Sequence, residues 1–114
     1  MFNGCTNLSS KIVFENTNDA IKYHMLYNCS KVKCIEVNLS SWYTGSWSDW
    51  NSGVNSTGTF IKPKNLSRNF GETYIPNNWT VINKDNGKMY ICNSDNSNGA
   101  EVASVDDDGT IHYA

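Results

Sequence analysis

Long apolar runs are missing from this chain of 114 residues, and no stretch approaches the roughly 20 apolar residues that a membrane-crossing helix needs. An excess of positive charge is missing too. Lysine and arginine number 9 against 11 aspartates and glutamates, for a net charge of −2. No basic stripe is available to neutralise nucleic-acid phosphates, and binding to nucleic acid or to an anionic membrane is disfavoured. Histidine is scarce: only His24 and His112 occur, and no Cys-x-x-Cys pair accompanies them. A structural zinc site therefore lacks its ligand spacing, and neither metal nor cofactor is expected. A nucleophile beside a base, or a carboxylate pair set in a cleft, is equally hard to find. His112 near Asp106, Asp107 and Asp108 is the best acid/base candidate, and an exposed polar strand with a hairpin turn explains it more simply. Asn93, Asp95, Ser97 and Gly99 have the flavour of a calcium loop, but the glycine falls one place late and the closing acidic residue is missing. The chain reads as a non-enzyme.

What the sequence does contain is a repeat. Met1-Phe2-Asn3-Gly4-Cys5-Thr6-Asn7-Leu8 returns 24 residues later as Met25-Leu26-Tyr27-Asn28-Cys29-Ser30-Lys31-Val32. An extended stretch follows each copy, Lys11 to Phe14 and then Ile35 to Asn38. A third, Gly58 to Lys62, is preceded by Trp50-Asn51-Ser52-Gly53-Val54 as a degenerate copy. A period in the twenties is the size of a leucine-rich-repeat solenoid, whose stacked units leave one broad face for binding. Between the first two strands, Asn18-Asp19 reads as a cap for a short helix with Ile21, Met25 and Leu26 on one face. The expected fold class is α+β: about two and a half repeats of ~24 residues, with parallel strands and short convex helices, closed by antiparallel hairpins. Residues 1–62 form the repeat units, 63–92 the closing loop and hairpin, and 93–114 a polar loop and second hairpin, all in one compact domain. Asn86-Gly87 marks the first hairpin turn and Asp108-Gly109 the second.

The two octets, together with Val54-Asn55-Ser56-Thr57-Gly58-Thr59-Phe60-Ile61-Lys62-Pro63 and the later Ile75-Pro76-Asn77-Asn78-Trp79-Thr80-Val81, resemble the BspA-like leucine-rich-repeat proteins of gut and oral bacteria. The resemblance covers roughly residues 1 to 92. It implies a non-catalytic, surface-displayed binding or adhesion module. The chain has no apolar leader at its start, and a solenoid beginning at Lys11 to Phe14 needs a partner over its first repeat. Met1, Phe2, Ile12 and Phe14 are the expected N-terminal interface. Partners are then protein, either self or another assembly subunit, with glycan as a second class. The expected setting is a virion decoration or fibre component of a phage of gut bacteria; the alternative is a fragment of a secreted cell-surface adhesion protein.

Three tryptophans fall within nine residues, Trp42, Trp47 and Trp50. Exposed, with Tyr43, they would make a sugar-stacking or protein-binding surface. Trp50 is expected to fill a packing position of the third repeat. Trp42, Tyr43 and Trp47 are the candidate contact residues, with packing under the loop as the open alternative for the two tryptophans. Cys5 and Cys29 occupy equivalent repeat positions and are expected as stacked, buried thiols. Cys34 and Cys92 pair only if the second strand touches the closing hairpin.

Overall fold

The computed structural model describes residues 4–14, 26–39, 41–42 and 50–114. Seven strands form one mixed sheet whose spatial order follows the chain: β1 (Ile12–Phe14), β2 (Cys34–Val37), β3 (Thr59–Pro63), β4 (Thr80–Asp85), β5 (Lys88–Cys92), β6 (Asn98–Val105) and β7 (Ile111–Tyr113). The first four are parallel, and the last three continue the sheet as an antiparallel meander.

The parallel half is a solenoid in register. Ile12, Ile35, Phe60 and Val81 stand opposite one another across four strands. Their side chains share one face and pack against the connecting turns, where Leu26, Val32, Trp50, Leu66, Ile75 and Trp79 fill the interior. The turns stack as well. Gly4 N–H donates to Tyr27 O at 2.8 Å, Leu26 N–H to Trp50 O at 2.8 Å and Asn28 N–H to Ser52 O at 2.9 Å. The equivalent residues Gly4, Asn28 and Gly53 all have positive φ, at 75°, 60° and 87°. This left-handed conformation is open chiefly to glycine and asparagine, so the octet's Gly/Asn position is a backbone requirement repeated three times.

The α+β expectation is overturned: the described residues form an all-β protein with no helix. The expected helix at Asn18, Asp19, Ile21 and Met25 lies outside the described residues, but Leu26 sits in a turn and the connections over 50–58 and 64–79 are turns and bends. The physical reason lies in the backbone bonds between repeats. A helix satisfies its N–H groups internally, whereas these turns donate theirs to the carbonyls of the next repeat, and their Asn, Ser and Gly residues favour turns over helical propagation. The repeat also runs further than two and a half units. Thr80–Asp85 is a fourth parallel strand, paired from Thr59↔Thr80 to Pro63↔Lys84, and on its other edge it is also the first strand of the antiparallel closure with β5.

The two hairpin turns form where the sequence places them. Asn86 and Gly87 both have positive φ (54° and 76°), as a two-residue turn closing Asp85↔Lys88 requires. Gly109, at φ 86°, closes the β6–β7 turn, where Asp106 N–H donates to Thr110 O at 2.9 Å.

The meander does not stay flat. Val102 and Val105, with Met89, Ile91 and Ile111 beside them, pack against Cys34, Ile61 and Ile82, which occupy the second face of the parallel strands. The sheet therefore curls over itself, and the turn of the last hairpin reaches back to the start of β3, where Thr59 Oγ1 donates to Gly109 O at 2.6 Å. A row across this second face records how far the cover extends: Val13 is 46% exposed, Glu36 is intermediate, and Ile61 and Ile82 are fully buried. The broad open face expected of a solenoid is thus occupied over β3 and β4 by the chain's own strands.

Candidate functional site

Where the cover ends, a groove of about 480 Å³ opens along the carboxyl ends of the parallel strands. Its position follows from unequal strand lengths. β3 ends at Pro63, after which one further bond runs from Lys64 N–H to Lys84 O at 3.0 Å, while β4 runs on to Asp85 and projects the Asn86-Gly87 turn beyond it. Val13, Phe14, Val37 and Asn38 form one side of the groove, and Lys84, Asp85, Asn86 and Gly87 the other. The carboxyl ends of parallel strands are where open sheets commonly place ligands, because side chains from several strands converge there.

One acid of this groove is paired with cations, and the other is held by an amide. Glu36 accepts from Lys84 Nζ at 3.0 Å and lies 4.0 Å from Lys11 Nζ. Asp85 accepts from Asn98 Nδ2 at 3.1 Å. Amide groups and carbonyls supply the remaining polarity, and Val13 and Pro63 supply apolar surface. Such a surface disfavours an anionic ligand, which would meet the carboxylates of Glu36 and Asp85, and suits one that is polar and can donate to them.

A second polar cluster lies nearby and is sealed. Lys62 is completely buried, and its ammonium donates to Leu66 O at 2.6 Å and Asn96 Oδ1 at 2.7 Å, with Pro63 O at 3.2 Å and Lys64 O at 3.4 Å. Burial pulls this ammonium down to about 8, and Lys64 and Arg68 push in the same direction. The surrounding oxygens oppose the shift, since they bond best to the charged form. Asn96 also accepts from Cys92 Sγ at 3.2 Å and donates to Lys64 O at 3.0 Å. The cluster ties the 93–97 turn to the loop after β3. With Lys62 at 0% exposure it acts as a structural tie.

The candidate contact residues fare differently. Trp42 packs at the rim of the core, with its ring 6.0 Å from Phe60 and 5.4 Å from Tyr74, and its Nε1 donates to Ser67 O at 2.7 Å. Packing under a loop is therefore its main engagement. Tyr43 and Trp47 lie outside the described residues, as do Met1 and Phe2 of the expected interface. Ile12 and Phe14 point into the core at 9% and 8% exposure, and Val13 between them is the outward residue of β1. Trp50 is fully buried against Phe14 and Phe60.

All four cysteines are thiols without a disulfide. Cys29 is buried as expected, but Cys5 is exposed. Cys34 and Cys92 belong to different core clusters on opposite faces, and this separation leaves them unbridged. Burial pushes the Cys34 thiol up to about 11. His112 Nε2 lies 2.8 Å from Asp106 Oδ2 across the exposed last hairpin, and the Asp95 carboxylate accepts from Ser97, whose hydroxyl and backbone N–H hold its pKa below the usual carboxylate range. Both arrangements close turns. Among the described residues no cluster of His, Cys, Asp and Glu is placed to hold a metal ion, and no helix is long and apolar enough to cross a membrane.

The groove escaped the sequence because Glu36, Lys84 and Asn86 lie in three separate segments, brought together only by strand register. Their one visible signal was the Asn-Gly turn, which locates the far wall. No family model, curated protein or solved structure matches the chain. The resemblance to BspA-like repeat proteins accordingly rests on the quoted residues alone.

Proposed function

We propose that this chain is a non-catalytic recognition and attachment module that holds its ligand in the groove between β1–β2 and the Asn86-Gly87 turn. The observation carrying this reading is the partial cover of the second sheet face. The meander buries Ile61 and Ile82 but leaves Val13 half-exposed and Glu36 accessible beside a groove of about 480 Å³. A shallow, charge-paired recess built on strand ends is suited to holding a ligand. Display on the surface of a virion or of a bacterial cell fits such a module, and the family resemblance favours that setting.

The test is retention of intact bacterial cells by bead-displayed protein, comparing the wild type with Asn86→Gly. Glycine keeps the positive φ of the turn while removing the amide from the groove wall. Cell binding that the substitution weakens supports the reading. Absence of binding, or equal binding by both proteins, overturns it.

A second reading is favoured by β1, which ends the sheet order and carries the half-exposed Val13. Here the partner is another copy or another subunit docked along that strand. Light scattering behind size exclusion at low micromolar concentration decides it. A defined oligomer dispersed by Val13→Glu supports docking at β1, and a monomer refutes it.

A further inference from the structure

We infer that the groove at the carboxyl ends of β1, β2 and β4 is a binding site for a neutral saccharide. The inference rests on the recognition reading above and names its ligand class.

Three observations point the same way. First, the groove's acids are already satisfied: Glu36 by Lys84 at 3.0 Å and Lys11 at 4.0 Å, and Asp85 by Asn98 at 3.1 Å. Held in place by these partners, the carboxylates are preorganised acceptors whose remaining lone pairs suit hydroxyl donors. An acidic ligand would meet two carboxylates, and a cationic one would have to compete with two lysines at Glu36 and with the Asn98 amide at Asp85. A polyol meets neither obstacle. Second, the groove is about 480 Å³, within the range of sites that enclose a small ligand and enough for a short oligosaccharide segment. Third, its lining alternates in the way that sugar surfaces do. Val13 and Pro63 line it with apolar surface suited to the C–H face of a pyranose, and Asn86 lines it with an amide suited to the ring's hydroxyls. A paired carboxylate accepts from vicinal hydroxyls, and an amide both donates and accepts, so neighbouring hydroxyls find matched partners.

The site differs from the aromatic surface that the tryptophan-rich segment suggests. Trp42 and Trp50 are engaged in packing, and recognition here depends on paired charges and amides.

The experiment is a printed array of neutral, sialylated and sulfated oligosaccharides probed with the full chain. Titration of the best neutral glycan by amide NMR then maps the site, with Asn86→Gly and Glu36→Gln as variants. The expected result is neutral-glycan binding with shifts at Val13, Glu36, Lys84 and Asn86, weakened about tenfold by each variant with the melting temperature held. Binding only to acidic glycans overturns the inference, as does neutral-glycan binding with shifts elsewhere, or no binding at all. Cells captured in an Asn86-dependent manner without any neutral glycan bound would leave the recognition reading standing and remove the saccharide.

Discussion

Replacing Lys62 by methionine keeps most of the side-chain volume and removes the one charge that is fully buried in the described structure. Two short bonds vanish, to Leu66 O at 2.6 Å and Asn96 Oδ1 at 2.7 Å. An unsatisfied buried acceptor costs about 1–3 kcal/mol. Asn96 Oδ1 keeps a weak donor in Cys92 Sγ at 3.2 Å and Leu66 O keeps a long bond from Asn96 Nδ2 at 3.4 Å, so neither acceptor is stripped and the loss falls at the lower end of that range. Relief of ammonium burial works the other way. The fall from 10.5 to about 8 corresponds to an upper bound of about 3 kcal/mol at 1.36 kcal/mol per unit, reduced by the oxygens around the ammonium. The two effects nearly cancel at neutral pH, leaving a change of about 1 kcal/mol or less there, or a few degrees in melting temperature for a domain of this size.

The pH dependence supplies an independent check. The folded-state pKa lies below the unfolded one, so the unfolded chain binds the proton more tightly and folding is favoured as pH rises. The stabilising increment from Lys62 is fully present above the unfolded value of 10.5 and is lost as pH falls through about 8. Urea unfolding of both proteins at about pH 7 and about pH 10 isolates it, because every other group titrates in both. The difference between wild type and Lys62→Met should widen at the higher pH. A difference that stays constant or moves against wild type on raising the pH would refute the account of the buried ammonium.

Gly58→Ala places a Cβ 2.6 Å from Lys33 O and 2.7 Å from the Trp79 ring, and thermal unfolding should show a loss of about 1–3 kcal/mol, the usual cost of overpacking. Asn51→Leu removes the bonds from Asn51 Nδ2 to Tyr74 O at 2.7 Å and Gly71 O at 3.1 Å, with an expected loss of about 1–3 kcal/mol by urea unfolding. In the native protein a maleimide should label the exposed Cys5 and leave Cys34 untouched, since burial holds that thiol up to about 11; mass spectrometry after proteolysis reads the positions, and rapid labelling of Cys34 would contradict its place in the second core.

The repeat was legible in the sequence because its backbone demands are written in residue types: Gly4, Asn28 and Gly53 mark one left-handed position three times. Asn86-Gly87 and Gly109 likewise announced their turns. The α+β expectation failed because hydrophobic spacing alone does not separate one face of a helix from the inner side of a stacked turn, and in the described connections Leu26, Trp50 and Leu66 fill the interior from turns. The fourth parallel strand was missed because Thr80–Asp85 is followed by a hairpin turn, and a strand's partner on its other edge leaves no local mark. The curl of the meander over Ile61 and Ile82 was hidden for a related reason. β3 reads as a strand buried on both faces, and nothing nearby says that residues some forty positions later supply the cover. Lys62 sits in plain view within Thr-Phe-Ile-Lys-Pro, yet its burial depends on Asn96 and Leu66 arriving from other segments.

The seat of the last hairpin sets a minimum length for the array. A Cβ at Gly109 would lie 2.6 Å from Lys33 O and 3.2 Å from Thr59 Oγ1, so the turn rests on the lead-in to β2 as well as on β3. The meander thus spans the last three parallel strands together. Units could be added or lost upstream of β2 without disturbing that seat, whereas deleting β2 would remove one of its walls. Because β5 occupies the far edge of β4 in antiparallel pairing, a parallel unit cannot follow β4, and a stack of this kind lengthens from one end only.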